Sequence, residues 1–552
     1  MKQLHKISLS LLLALVICSC DGFLEYEPYG SPTSDNFWKT EADVRSALDA
    51  FYDYTNIEGV CGRGVFYYEN CSDDMFTGRP QAPSDAYTCE RFTMGATNNL
   101  DVNNTWPAMY RMINKANNIL RYVPDMAIPD DVKSNAIGQA LFFRAYAYLW
   151  LVPWYGDNSI NGGIPIVTEN TPLDNMDVPR PPTVLDNYNM IIADMREAAN
   201  RLPLLSQMAD SDYGRPYKTA AWAFAARAAL YAAQYTDNSK AAEKHSSAEY
   251  HAMVVELCDS IINLSGPDKR ELHQAPTGSE LSNFADLFRW ENNFSPEYIY
   301  SILGNENAGP KFHGMFFQAA GWGYYNTWGY FMPTLDLYNA YESEGDTQRR
   351  KATILAPGEH IQFMSHDIQW CVNPSLMYSE SAMTNRKFMS VFADSSDIGK
   401  LFNVSGNNQS NRLAMHIMRY ADILLMKAEA LIWTQGEGNP TAKELINQVR
   451  KRAGLPGNSP ATREALKKER RLEFAFEFFP SRHFDLVRWG DAQATYARPT
   501  EGWQIEVNGQ TINKTIVTVR PARNFNPAKH HVFPIPDAEI RKSSNLKQNE
   551  GY

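Results

Sequence analysis

The sequence predicts a mainly α-helical protein, in which antiparallel helix pairs form a scaffold and a loop-rich second half laid against it carries the ligand site. Two observations lead there. Long segments place apolar residues at helical spacing, with alanines recurring where helices would cross, whereas Phe284 to Asn403 is crowded with Gly, Pro, Asn and aromatic residues.

Taken in order, Ala42, Val44, Ala47, Leu48 and Phe51 recur at helical spacing within Thr40 to Tyr54. From Gly59 to Asn104 the pattern breaks into an irregular stretch holding Asp73, Asp74, Phe76, Arg79 and Tyr87; loops this long inside compact domains are usually functional or disordered. Trp106 to Tyr122 and Ala136 to Val152 then read as a helix pair, and Ala140, Ala145 and Ala147 let backbones approach while large rings fill the gaps. Val184 to Arg201 with the alanine-rich Tyr217 to Tyr235 repeats this arrangement, and Arg412 to Thr434 with Thr441 to Arg452 makes a third pair. Such pairs are similar to tetratricopeptide units, although their spacing is too irregular for a true tandem repeat. The scaffold is therefore TPR-like.

The 552 residues carry a net charge of -11, and the lysines and arginines are scattered. Nucleic acid is excluded as a partner, because its binding needs clustered basic side chains. At the N-terminus, Lys2 and Lys6 precede a short apolar run, Ile7 to Ile17, closed by Cys18-Ser19-Cys20. The run is too short to span a bilayer and reads as an export signal over residues 1–19. A small residue must precede the cut, so Ser19 favours Cys20 as the new N-terminus. Such a Cys resembles a bacterial lipoprotein attachment point, anchored to a membrane without crossing it. The other cysteines, Cys61, Cys71, Cys89, Cys258 and Cys371, follow no metal-ligand spacing; a disulfide among Cys61, Cys71 and Cys89 and unpaired buried thiols both remain open.

The candidate ligand site centres on GWGYYNTWGYF, residues 321–331. Its glycines deny the rings any helical or alternating period, which makes it a loop. Trp322, Tyr324, Tyr325 and Trp328 offer large rigid faces with polar rims, suited to the C–H face of a sugar, while packing between helices is the plainer alternative for any one ring. Asp73, Asp74, Arg79 and Tyr87 are expected across the cleft as polar partners. Glu469, Glu473 and Glu477 fall at i, i+4 and i+8, and the nearby Arg470, Arg471, Arg482 and Arg488 make a structural ion-pair network the expectation, rather than acid–base chemistry or a metal site. No nucleophile elbow, HExxH, phosphate loop or CxxC pair occurs, so no catalytic residue and no cofactor is assigned.

GQALFFRAYAYLWLVPWYG, MRYADILLMKAEAL, LINQVRKRAGLP, KKERRLEFAFEFFPSRHFDLVRW and the ending HVFPIPDAEIRKSSNLKQNEGY together resemble the SusD/RagB family of outer-membrane lipoproteins, over essentially the whole mature length. The family's usual Pro-Gly-Tyr ending is Glu550-Gly551-Tyr552 here. The resemblance implies one SusD-like domain over residues 20–552, with an N-terminal part to about 235 and a C-terminal part from about 270. It also implies a lipid-anchored position on the outer membrane facing the exterior. The partners would be an oligosaccharide ligand and a SusC-like TonB-dependent transporter. Peptide capture and, further off, glycoside hydrolysis are the competing functions; hydrolysis would need two carboxylates about 5 to 10 Å apart at the sugar.

Overall fold

The computed structural model describes residues 37–54, 58–62, 67, 71–78, 84–97, 103–157, 161–237, 239–304, 330–363, 366–371, 379–387, 413–477 and 481–552. The lipid-attachment candidate Cys20 lies outside them. So do Arg79 and the four aromatics Trp322, Tyr324, Tyr325 and Trp328.

Helix α1 (Glu41–Tyr54) leads into the first pair, α2 (Thr105–Tyr122) and α3 (Asp130–Tyr155). α2 buries Met109, Met112, Ile113, Ala116, Ile119 and Leu120, a one-sided stripe at the helical repeat. α3 starts earlier than its apolar run suggested, because Asp130 and Asp131 occupy the first turn, where carboxylates complement the helix dipole. From Ala140 to Val152 every residue is buried, which is the signature of a helix packed on all sides. Arg144 explains how a charge fits there: it pairs with Asp194 at 2.7 Å and Glu169 at 2.5 Å and donates to Asn117 at 3.0 Å, tying three helices together.

The second pair is α4 (Val184–Arg201), capped by the Thr183 side chain, and the alanine-rich α5 (Lys218–Ala232). A further helix, α6 (Ser247–Ile262), packs on α5; Ser246 and Glu249 form a capping box at its start. Strand β1 (Met75–Thr77) pairs antiparallel with β3 (Phe331–Pro333), and β2 (Tyr298–Ile302) with β4 (Met415–Arg419). Within the half expected to be loops, α7 (Leu335–Ser343) and α8 (Thr347–Thr353) are helical, started by Thr334 and Asp346 caps.

The third pair differs from its sequence outline. Residues 415–419 are strand, and α9 (Tyr420–Gln435) begins only after them, followed by α10 (Pro440–Arg452). α9 packs on α6 as well as on α10, so the run α2, α3, α4, α5, α6, α9, α10 is continuous in space although residues 263–419 interrupt it in sequence. Beyond lie α11 (Arg463–Phe474), α12 (Arg482–Trp489) and a long two-stranded hairpin, β5 (Thr500–Asn508) and β6 (Thr511–Arg520). The C-terminal segment returns to the scaffold: Asn549 donates to the carbonyls of Tyr155 and Phe533, and the Phe533 amide donates to Trp154 at 2.6 Å. Cys71, Cys89, Cys258 and Cys371 are free and buried, so Cys71 and Cys89 are not bonded to each other.

The acidic row serves the core, as expected, but with other partners. α11 ends at Phe474, and Phe476 adopts a left-handed φ of 66°, so Glu477 lies past the helix rather than on its face. Glu473 is bound by Arg349 at 3.1 Å, by Arg419 at 2.9 Å and by Arg452. Glu469 takes Arg349 at 2.7 Å and Arg450 at 3.2 Å, Glu477 takes Arg419 and Lys387 at 2.7 Å each, and Glu297 binds Arg419 and Arg452 at 2.5 Å each. None of the four sequence-near arginines supplies the row. Arg470 goes to Asp422 and Asp485, Arg488 to Glu429 and Asp485, and Arg471 and Arg482 to the Asp73–Asp74 turn. Burial opposes ionising Glu473, yet the three arginines and Lys387 outweigh it and hold its carboxyl well below the usual range.

Removing one member of such a network strands buried charges. Glu473→Ala is expected to lose about 3 to 5 kcal/mol of stability, read as a lower urea midpoint. A second expectation concerns acid. His483 is fully buried beside the Tyr496 hydroxyl at 2.9 Å, and burial, helped by Arg523 and His530, depresses its pKa to about 3. The unfolded chain takes up this proton below about pH 6.5 and the folded one does not until about pH 3, so stability is full above the higher value and falls as pH drops between them. The contribution is about 1.4 kcal/mol per pH unit. Denaturant midpoints from pH 7 to 4.5 should therefore fall less steeply in His483→Gln than in the parent.

Candidate functional site

The two candidate loops meet at a strand pair. Residues 75–77 continue directly from Asp73 and Asp74, residues 331–333 continue directly from the aromatic segment, and these are β1 and β3. Phe76 faces Met332 across the ladder, and the Gly78 amide donates to the Tyr330 carbonyl at 3.2 Å. Gly78 is required by this approach, since a Cβ there would lie 1.9 Å from the Met332 side chain.

Thr334 locks the junction. Its amide donates to the Asp74 carbonyl at 3.1 Å, and its hydroxyl donates to the Asp73 carbonyl at 2.9 Å while accepting from Leu337 to start α7. The carboxylates are then gripped from α11 and α12. Arg482 binds Asp73 through two nitrogens at 2.9 and 3.2 Å, and Arg471 reaches Asp73 at 3.1 Å, Asp74 at 2.7 Å and Asp336 at 2.7 Å. Burial resists ionising Asp73, but the Arg471 and Arg482 guanidiniums overcome it and keep the carboxyl below the ordinary carboxylate range. Asp74 is only 1% exposed and spends its side chain on Arg471.

A polar cleft of about 250 Å³ opens beside this junction, lined by Asp73, Asp336, Asn339, Arg498, Glu501 and Arg523 among others. Arg498 pairs with Asp336 at 3.1 Å on its rim. Of the sequence candidates, Asp73 therefore borders open space and Asp74 does not. Tyr87 sits on the short helix Ser84–Glu90 behind β1, half-buried between the guanidiniums of Arg91 at 5.0 Å and Arg520 at 5.8 Å. Arg520 in turn binds the Thr77 carbonyl and pairs with Glu90 at 3.1 Å, fastening Tyr87 to the same ladder. Asp336 and Asn339 on α7 and Arg498 in the bend before β5 are not among the sequence candidates; a lone polar side chain on a short helix or in a bend carries no sequence signal beyond composition. Among the described residues no cluster of three or more His, Cys, Asp or Glu side chains could hold a metal ion, and no helix is long and apolar enough to cross a membrane.

Residues 290–552 match the model of the SusD family, and residues 22–230 match a second model described as starch-binding, associating with the outer membrane. The chain belongs to the SusD/RagB family. A SusD-like protein of Formosa agariphila is 26% identical, with all of both chains covered, and a SusD-like protein of Bacteroides ovatus is 24% identical over 86% of this chain and 81% of its own. Among solved structures, a SusD-like protein from Bacteroides fragilis superposes with a TM-score of 0.75 at 22% identity, covering 94% of this chain and 99% of its own. Surface glycan-binding protein A from Bacteroides thetaiotaomicron, solved in complex with laminarihexaose, gives 0.69 at 18% identity, covering 92% and 99%. The SusD-like fold, mostly helical with small sheets, is thereby shared.

The junction can be tested without a ligand. Asp74→Asn removes one arm of a buried charged hydrogen bond and should cost about 1 to 3 kcal/mol. Asn339→Ala, exposed at the cleft, should stay within about 0.5 kcal/mol of the parent. Urea titrations of the two variants in parallel give both values.

Proposed function

We propose that this SusD-family protein is a cell-surface glycan-binding lipoprotein that captures an oligosaccharide and passes it to a SusC-like TonB-dependent transporter in the outer membrane. The observation that carries the reading is the β1–β3 ladder, which joins the base of the Asp73–Tyr87 segment to the end of the aromatic segment beside a polar cleft. Stacking rings and convergent hydroxyl partners are what a sugar site needs. The laminarihexaose complex of the Bacteroides thetaiotaomicron relative and the outer-membrane association of the matched family model support it. In this reading Trp322, Tyr324, Tyr325 and Trp328 form the sugar platform, with Arg79, Tyr87 and Asp73 bordering it. Asp74 acts behind them as a strut, and Cys20 carries the lipid. In this reading the protein binds and does not hydrolyse, which the names of two structural neighbours support, a laminarin-binding SusD-like protein and a surface glycan-binding protein.

A combined glycan and peptide array is the decisive experiment, with oligosaccharide binding expected and exclusive peptide binding overturning the proposal. Trp322→Ala and Trp328→Ala should each weaken the glycan found by at least about fivefold, since one stacked ring is worth about 1 to 3 kcal/mol, at unchanged melting temperature. Anchoring is checked separately: Cys20→Ala should release the protein from membranes, and Cys18→Ala should not.

A further inference from the structure

A second cleft, of about 160 Å³, lies between the 205–217 connection that joins α4 to α5 and the segment 293–303 that contains β2. Three features separate it from ordinary surface. Phe294 and Tyr213, 63% and 37% exposed, face each other at its mouth with ring centroids 5.9 Å apart. As a pair they offer an apolar face wider than one exposed ring presents. Gly214, at a φ of +98°, brings the turn so close to Leu303 that a Cβ would sit 2.8 Å from its side chain, so the backbone itself lines the cleft at this point.

The lining also contains a charge without a counter-charge. Arg270 is 5% exposed, and among the described residues its guanidinium makes one hydrogen bond, from Nε to the Asp268 carbonyl at 3.0 Å. The Asp268 carboxylate is occupied elsewhere, accepting from the Ser206 amide at 2.9 Å and hydroxyl at 2.6 Å. Arg215, the other cation of the lining, is already neutralised by Asp49 at 2.6 Å and Asp212 at 3.1 Å. Beside Arg270, Tyr217 is 5% exposed and its buried hydroxyl has no hydrogen-bond partner. Burial raises that phenol to about 12, with Arg270 pulling the other way, so at neutral pH it remains a donor. Buried charges are ordinarily paired and buried hydroxyls ordinarily bonded. Here both vacancies line one cleft, and both want an acceptor.

We propose that this cleft binds a carboxylate-bearing sugar, a uronic acid unit, whose carboxylate is received by the Arg270 guanidinium with the Tyr217 hydroxyl as a further donor and whose ring lies against Phe294 and Tyr213. A guanidinium receives a carboxylate through two parallel hydrogen bonds, which orients the ring as well as holding it. The proposal rests on the glycan-capture reading for the ligand's class but uses none of the residues of the β1–β3 site. It makes acidic saccharides the preferred cargo.

The test is titration calorimetry with glucuronate, oligogalacturonate and glucose on the full chain, the Arg270→Met, Tyr217→Phe and Phe294→Ala variants, and Trp322→Ala. Glucuronate and oligogalacturonate should bind and glucose should not. Arg270→Met should reduce acidic-sugar affinity at least tenfold with only a small fall in melting temperature, because it leaves one carbonyl, that of Asp268, without its donor and strands no opposite charge. Tyr217→Phe and the surface variant Phe294→Ala should each weaken binding several-fold. Acetate or sulfate binding as tightly as glucuronate, or acidic-sugar affinity unmoved in Arg270→Met and Phe294→Ala, would overturn the assignment. Should neutral oligosaccharides bind in a Trp322-dependent manner while glucuronate does not bind, the capture reading stands and the cleft fails. Arg270-dependent glucuronate binding with no Trp322-dependent glycan gives the reverse.

Discussion

Glu473 cannot be buried alone. A carboxylate removed from water needs several charged donors at once, and here they come from α8 (Arg349), the end of β4 (Arg419) and the end of α10 (Arg452). Those elements are distant in sequence. Their convergence on one side chain fixes how the loop-rich half sits on the helical array, and it accounts for the departure of Met415–Arg419 from helix. As a strand paired with β2, this segment delivers Arg419 to both Glu297 and Glu473, which meet it at the same guanidinium nitrogen. Hydrophobic burial supplies the driving force, while the geometry of paired charges selects one arrangement among many equally apolar ones.

The same helix that bears Glu469 and Glu473 inward also bears Arg471, and this links the interior to the candidate sugar site. Arg471 holds Asp73 and Asp74 at the root of one loop and Asp336 at the start of α7, just after the other loop ends. A site on loops gains precision when its supports are rigid. Here the support is a helix already clamped by buried ion pairs on its far side.

How much of this could be read from the sequence follows from the range of each signal. The helices α2 to α5 were legible because their period is local, as in the Met109, Met112, Ile113 and Ala116 stripe. Helix α6 was passed over although Ser246 and Glu249 spell its capping box, and the β5–β6 hairpin although Asn508-Gly509 announces a tight turn. The acidic row was legible as an ion-pair network but not its partners, since nothing in the sequence says that Arg349 rather than Arg470 will meet Glu473. Chain proximity was the only guide available, and it favoured the wrong arginines. For the same reason Asp73 and Asp74 looked equivalent, whereas tertiary contacts leave one at a cleft and seal the other beneath it.

The interrupted order of the helical array has a bearing on how the protein assembles. α6 presents to α9 a flank that includes Cys258 and is closed in the finished structure, and Asp259 on α6 pairs with Lys427 on α9. Until residues 420–452 are in place that flank has no cover, however complete the preceding helices are. Contacts that wait for a distant segment bear the full entropy of closing the intervening chain and slow the search for the native state. The half-built array is thus an open-ended stack with an adhesive face. A protein of this design depends on its C-terminal half to protect its N-terminal half from association with other unfinished chains.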